Sequence, residues 1–556
     1  MARPTHHERE PDSRQIDPLP LRRRAAKCYV ATVEKTSIRA ANSAATRQYD
    51  RLAAVDLGSN SFHLQIGRVV GEQIYLLDSL REPVRLGGGM TRDRRLDRAT
   101  QMRALEALGK FGERLRGFPR GAVRAVGTNA LRVAKNADQF LVEAREALGF
   151  PIEVVFGREE ARLIYLGVAH SLPPSPEPRL VMDIGGGSTE FVIGTGLEPQ
   201  LMESISMGSV SWSLRFFPDG RMDKAAFKRA EVTAANEMQR IVKTYRRAGW
   251  KQAVGSSGTA KSIAWILAVN GFNPGEAARR EAVITREGLD RLRNLLIKTG
   301  DLERLEMEGL RAERIAILPG GLAIMKAALD ELEVDELDVS EGALRQGVLY
   351  DLLGRVTHHD MREATVSEFC RRYHVDAAQS QRVAALAIQL HAQLTPGANG
   401  SGEAEALLLK FAASLHEIGI SIAHAGYHKH SAYILSQADM PGFSRDEQAR
   451  LARLVLAHRG KLSKIEGLPA HSPDWAMIFA LRLAALLYLS RGDIALPPLA
   501  CKTTEAGYQV ALPRNWLEEH PLTEAALQEE AGEWRTQGIR MEVRGLNAQA
   551  EDRRQK

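Results

Sequence analysis

Cysteine is nearly absent from this chain of 556 residues: Cys28, Cys370 and Cys501 stand far apart, without CxxC spacing. That excludes a disulfide framework and a cysteine-based zinc cluster, and it fits a reducing, cytoplasmic setting. Long apolar runs are missing too. No stretch approaches the roughly 20 residues needed to cross a bilayer, which excludes membrane insertion by a helix. Net charge is small for a pI near 9, at +6. Ten Lys/Arg against six Asp/Glu place a surplus of four in residues 1–50, leaving about two for everything after them. A general nucleic-acid footprint is therefore excluded, and no specific nucleic-acid partner is expected. Residues 1–50, with Arg22-Arg23-Arg24, lack the continuous apolar segment of a secretory signal. They read as a disordered N-terminal extension, as from an upstream start codon; a polyanion-attracting tail is the other reading. The length exceeds what one core supports and implies roughly three or four domains.

What the chain does contain is a fourteen-residue pattern used twice. Ala54–Gly67 returns as Val181–Gly194, with Asp56 matching Asp183, Gly58 matching Gly185, Ser61 matching Ser188 and Gly67 matching Gly194. Each copy reads as a buried strand, a tight Gly/Ser/Asn turn and the second arm of a hairpin. A carboxylate at a strand end can reach a metal ion, and small turn residues expose N–H groups that cradle phosphate oxygens. An isolated Asp-x-Gly is usually a turn cap. Two structural turns, however, have no need to match at Asp, Gly and Ser together. Two such turns across a cleft make a site for a phosphorylated compound and a divalent cation.

Around these turns the patterning predicts a first α/β lobe over 51–163 and a second over 164–352. The first holds strands at Ile74–Leu77, Ala122–Val126 and Pro151–Phe156, helices over Thr100–Leu115 and Asp138–Leu148, and a helix opening at Gly157–Arg162. The second begins with a strand at Leu180–Asp183 and carries a long helix over Lys224–Arg247 and a Gly/Ser turn at Gly255–Thr259. An all-α region over 358–492 follows, with helices at Glu403–Ile420 and Trp475–Leu489 and a loop at 395–400. A small α+β domain over 493–556 reads as strand Tyr508–Leu512, helix Thr523–Trp534 and strand Ile539–Val543, with Glu551–Lys556 frayed. The fold class is α/β in the two lobes, then all-α, then α+β.

Eight ordered segments resemble one family. They are AAVDLGSNSFHL (Ala53–Leu64), AVGTNALR (Ala125–Arg132), PIEVVFGREEARLIYLGV (Pro151–Val168), LVMDIGGGSTEFVIG (Leu180–Gly194), GSSGTAKS (Gly255–Ser262), LPGGLAI (Leu318–Ile324), SEGALRQGVLY (Ser340–Tyr350) and LHEIGISIAHAGYHKHSAYIL (Leu415–Leu435). Together they resemble the long form of the exopolyphosphatase / guanosine pentaphosphate phosphatase (Ppx/GppA) family. The resemblance implies two ribonuclease H-like lobes of the actin, Hsp70 and sugar-kinase type, followed by an HD-like helical domain. It assigns Mg²⁺ to Asp183 and Glu190, joined by a monovalent cation such as K⁺, and hairpin pairing brings Glu190 back toward Asp183. One or two carboxylates plus substrate phosphate suffice for Mg²⁺.

Of Glu159 and Glu160, residues 100° apart on a helix, at most one faces a cleft squarely. Periodicity cannot choose between them; the resemblance makes Glu160 the base that orients and deprotonates the attacking water. It also places Arg132 at the terminal phosphate, where a fork of donors suits bidentate binding; the plain alternative is a surface arginine. Ser59, Asn60, Ser61, Gly186, Gly187 and Ser188 supply phosphate contacts, while Gly255–Thr259 and Gly320-Gly321 shape the cleft floor. The HD-like dipeptide reads His416-Glu417 rather than His-Asp. Its neighbours are His428, His430, His458 and Asp493, and a degenerate metal site is expected. His428, Lys429 and His430, with Arg459-Gly460-Lys461, then line a polyanion path, or else form a solvated face.

The expected activity is processive, Mg²⁺-dependent removal of terminal phosphate from inorganic polyphosphate, by a cytoplasmic homodimer that holds the chain in a channel shared between subunits. The alternatives are hydrolysis of guanosine pentaphosphate (pppGpp) at the same residues, a non-catalytic polyphosphate or alarmone sensor, and an actin-like ATPase.

Overall fold

The computed structural model describes residues 49–280, 282–356, 360–396, 401–465, 467–492 and 494–546. The expectations for residues 1–48, for the loop end at 397–400, for Asp493 and for Glu551–Lys556 lie outside the described residues.

The two copies of the repeat fold alike. In the first, β1 (Arg51–Leu57) and β2 (Phe62–Val70) form an antiparallel hairpin; in the second, β6 (Arg179–Ile184) and β7 (Thr189–Thr195) do the same. With β3 (Gln73–Glu82), β4 (Val123–Gly127) and β5 (Ile152–Val154) the first sheet has the order β3-β2-β1-β4-β5. With β8 (Glu198–Ile205), β9 (Gln252–Ser256), β10 (Val283–Thr285) and β11 (Glu336–Val339) the second has the order β10-β11-β9-β6-β7-β8. Both run antiparallel through three strands and then parallel into the next. The likeness reaches the irregularities: register shifts at Ile66/Gly67 against β3 and at Ile193/Gly194 against β8. These are the glycines that close each copy of the motif, so the repeat encodes a bulge as well as a turn. The chain thus holds two α/β lobes of the actin-like kind.

Two helices join the lobes, Gly157–Ser171 and Leu344–Val356. They cross so tightly that a Cβ on Gly347 would lie 1.6 Å from the Leu163 carbonyl oxygen, and one on Gly167 would lie 2.1 Å from that of Ala343. Side chains from both helices, including Ile164, Tyr165 and Val348, share one buried cluster with Leu52 and Ala54 of β1 and Val181 of β6.

Beyond residue 360 the chain is helical: Met361–Arg372, Ala377–Leu394, Ser401–Leu415, Tyr427–Gln437, Arg445–Ala457 and Asp474–Leu487. A three-stranded sheet follows, of β12 (Ala500–Thr504), β13 (Gly507–Pro513) and β14 (Arg540–Leu546), with the helix Pro521–Thr536 between the last two. Strands β13 and β14 are parallel, the expected strand–helix–strand unit; β12, antiparallel to β13, is an addition to it. In Ala500–Thr504 only Cys501 is buried, so no apolar alternation announces a strand. Helices and sheet share one core, in which Trp534 packs on Trp475, Phe479 and Tyr508. Among the described residues Cys370 and Cys501 are free thiols, and no helix is long and apolar enough to cross a membrane.

Candidate active site

The two repeat turns face one cavity. Ser59, Asn60 and Ser61 line it from the first lobe, and Gly186, Gly187 and Ser188 from the second. In the second turn the Gly185 N–H donates to the Ser188 carbonyl at 2.9 Å, which shapes the loop and turns its small residues toward the cavity. Thr259 and Gly258 line the cavity too, at the start of the helix Ser257–Val269, where β9 runs directly into helix. Gly320 and Gly321 instead pack in the second lobe, where the Gly320 N–H donates to Ser213 Oγ at 3.0 Å.

Glu160 also lines this cavity, in the first turn of the joining helix. Its Oε2 accepts a hydrogen bond from Arg132 Nη1 at 2.6 Å, and the same nitrogen donates to the Val155 carbonyl at 3.0 Å. Arg132 therefore sits on the candidate base, and it borders a second cavity with Phe156, Ser436 and Arg445 rather than the first. Its other N–H groups remain available for phosphate, since a guanidinium carries five.

Glu159 points the other way. Both its oxygens are taken, by Arg162 Nε and Nη2 at 2.8 Å each and by the Gly442 N–H at 2.9 Å. The structure separates by geometry what periodicity left open.

Asp56 and Asp183 share the cavity wall with Glu160. Asp183 and Glu190 are direct cross-strand partners in the hairpin, as Asp56 and His63 are in the other. Glu190 is only 1% exposed and accepts from Ser204 Oγ at 2.8 Å; Asp183 accepts from Ser256 Oγ at 2.5 Å. Burial, with the neighbouring Glu160 and Asp183 charges, pushes Asp56 up to about 7, against the pull of Arg345. Burial and Glu160 push Asp183 up to about 6, although the Ser256 bond and Lys261 oppose it. Glu190 is raised well above the carboxylate range by burial, then by Glu160 and Asp183. Asp56 Oδ1 is buried without a hydrogen-bond partner.

Among the described residues no group of three or more His, Cys, Asp or Glu side chains forms a metal cage. The acidic patch nevertheless fits a hard cation that keeps most of its waters: the donors are carboxylate oxygens, one is unpaired, and their mutual repulsion is what a divalent charge would relieve.

Sequence reasoning missed the basic side chains at this cavity, Arg314 and Arg345. Arg345 Nη1 donates to His63 Nδ1 at 3.1 Å, which leaves the ring proton on Nε2. Burial and the charges of Arg345, Arg81, Arg314 and Lys261 drive His63 down to about 3, so it is neutral. Arg314 lines the cavity, and among the described residues its guanidinium has no hydrogen-bond or ion-pair partner. Lys261 is held at the Glu341 carboxylate, 2.7 Å away. Arg345 and Lys261 lay inside segments that carried the resemblance, but nothing in their spacing marked them as neighbours.

In the helical region His416 and His458 stack edge to face, 5.0 Å between ring centroids, and each Nδ1 donates to a backbone carbonyl at 2.6 Å. The Glu417 carboxylate is paired with Arg491. Burial lowers His416 to about 4, and burial with Lys464 and Arg459 lowers His428 to about 4. Lys429 shares a cavity with Arg453 and Lys464.

Both Gly/Ser turns of the two actin-like lobes and the buried Glu160 carboxylate meet at one cavity, and the chain is a phosphoanhydride hydrolase. The sequence profile of the Ppx/GppA phosphatase family matches residues 65–356 and that of its domain III residues 361–531, and the chain belongs to this family. Among solved structures it is similar to an exopolyphosphatase from Cytophaga hutchinsonii, at 26% identity over 55% of this chain and 98% of that one (TM-score 0.49). A PPX-GPPA enzyme of Aquifex aeolicus matches at 28% identity over 54% and 98% (TM-score 0.45).

Proposed function

We propose that the protein hydrolyses the terminal phosphoanhydride bond of inorganic polyphosphate, with Glu160 as general base. The observation that carries this reading is the placement of Glu160 in a cavity walled by both repeat turns and lined also by Arg314 and Arg345. Glu160 takes a proton from water as the water oxygen bonds to the terminal phosphorus. The bond from that phosphorus to the bridging oxygen breaks, and the shortened chain leaves with the bridging oxygen. Arg132, which borders the neighbouring cavity, holds the Glu160 carboxylate and would turn its remaining donors to the terminal phosphate, while the Ser59–Ser61 and Gly186–Ser188 turns hold the phosphates behind it. Phosphoryl transfer of this kind depends mainly on positioning and charge neutralisation.

Asp183 and Glu190, with Asp56 beside them, would hold Mg²⁺, which supplies charge neutralisation on the phosphate oxygens. A monovalent cation such as K⁺ completes the ion requirement. Arg314, Arg345 and Lys261 favour a polyanion, and Lys429, Arg453 and Lys464 continue the basic character into the helical region. There an HD-like fold has lost its metal role, because Arg491 occupies Glu417. We take the working form to be a cytoplasmic homodimer.

Phosphate release from long-chain polyphosphate, guanosine pentaphosphate and ATP, at matched phosphate concentration with Mg²⁺, tests the substrate. Fastest release from polyphosphate is expected. Preference for guanosine pentaphosphate moves the assignment to that nucleotide, and hydrolysis of ATP alone makes the protein an ATPase. Binding without turnover makes it a sensor.

A further inference from the structure

The first turn of the joining helix presents three successive side chains in three directions. Glu160 enters the cleft. Arg158 donates to Asp439 Oδ2 at 2.5 Å and to Glu203 of β8 at 2.5 Å. Glu159, 3% exposed, accepts the Gly442 N–H at 2.9 Å. Asp439 and Gly442 belong to a single loop of the helical region, between the helices Tyr427–Gln437 and Arg445–Ala457.

That loop is clamped from both sides. While its N–H serves Glu159, the Gly442 carbonyl accepts from Arg355 Nη2 at 2.7 Å. Arg355 also reaches Asp351 Oδ2 at 3.0 Å, Arg124 reaches the same oxygen at 2.6 Å, and Arg162 joins Asp351 to Glu159. The side chains of Glu159, Arg162, Arg124 and Asp351 are each at most 4% exposed. Bonds between ionised groups and a backbone N–H are short, directional and strong in such surroundings. Gly442 is required at its place: φ is +89°, and a Cβ would lie 2.9 Å from the Arg362 nitrogen.

We propose that the Asp439–Phe443 loop of the helical region is a positioning element for Glu160, acting through Glu159 and Arg158. The inference rests on the reading of Glu160 as the base. Adjacent residues of one helical turn are rigidly related, so a displacement of Glu159 or Arg158 is a displacement of Glu160. A shift of about 1 Å in a reacting group can cost about a hundredfold in rate. Neither Glu159 nor Gly442 touches the substrate cavity, so neither is required for binding. The loop thus sets turnover and leaves affinity alone.

The test measures kcat and KM for polyphosphate with Gly442→Ala, Glu159→Gln and Glu160→Gln in the full chain, each checked for folding by circular dichroism and assayed well below its Tm. We expect Gly442→Ala and Glu159→Gln to lower kcat at least about tenfold with KM unchanged within about threefold. A lower Tm with unchanged kcat would make the loop a structural clamp only and overturn the proposal. Should either variant fail to fold, Asp439→Ala, at an exposed position, decides by the same split of kcat from KM. Wild-type activity in Glu160→Gln would instead sink the reading of the base, whatever the loop variants do.

Discussion

Asp56, Glu160, Asp183 and Glu190 crowd one small volume, and their electrostatics make measurable demands. Asp56 at about 7 and Asp183 at about 6 lie above the usual carboxylate value near 4 because burial and mutual repulsion disfavour their charged forms. Between about pH 4 and 7 the folded protein therefore keeps protons that the unfolded chain has released. Without divalent cation, stability falls as pH rises through this window, by a few kcal/mol at the order-of-magnitude level. Asp56→Asn removes part of that cost, so metal-free thermal melts at pH 7.5 should show a Tm increase of about 3 °C or more. A Tm that falls would contradict the account. Mg²⁺ bound as proposed would displace those protons. Its affinity should then rise from pH 5.5 to 8, and calorimetry in two buffers of different ionisation heat should register proton release on binding. Arg345→Gln takes away the cation that opposes the Asp56 shift, and should move this dependence to higher pH. At this scale the sequence was partly legible. Asp56 and Asp183 stood out because a duplicated motif isolates them, and Glu190 followed from the family resemblance, with hairpin pairing consistent with it. The separation of Glu159 from Glu160 depends on which side of the helix meets the Gly442 loop, 283 residues away. No local pattern carries that.

Elements decide whether these groups meet at all. The joining helices Gly157–Ser171 and Leu344–Val356 approach until backbone touches backbone, and Gly167 and Gly347 are the residues that allow it. A methyl group at 347 forces the helices apart and moves the first turn, with Glu160, away from the cleft. Gly347→Ala should cost about 3 kcal/mol in urea unfolding, with activity reduced as well; a neutral effect would mean the crossing relaxes freely. The hairpins were readable from buried apolar runs on either side of Gly/Ser turns, and the long helix Lys224–Ala248 from its amphipathic pattern. Strand β12 was not, because its single buried residue gives no alternation and pairing with β13 alone defines it. The crossing of the joining helices was equally hidden, since Gly167 and Gly347 are meaningful only as a pair.

At the scale of the molecule, two topologically similar lobes share a buried cluster beneath their sheets, and a helical region with its appended sheet grips the helix that carries Glu160. The duplication was visible in one chain because both turns kept Asp, Gly and Ser at matching positions. The grip was not, being built from Arg and Glu residues that read in sequence as ordinary charged surface. The account's central claim is that Glu160 drives hydrolysis in the cleft between the lobes. Initial rates of phosphate release from long-chain polyphosphate, wild type against Glu160→Gln with Mg²⁺, test it most directly. The account predicts a kcat lower by about 10² to 10⁴, with KM little changed and the fold intact. Equal rates in the two proteins would contradict it and place the chemistry elsewhere in the chain.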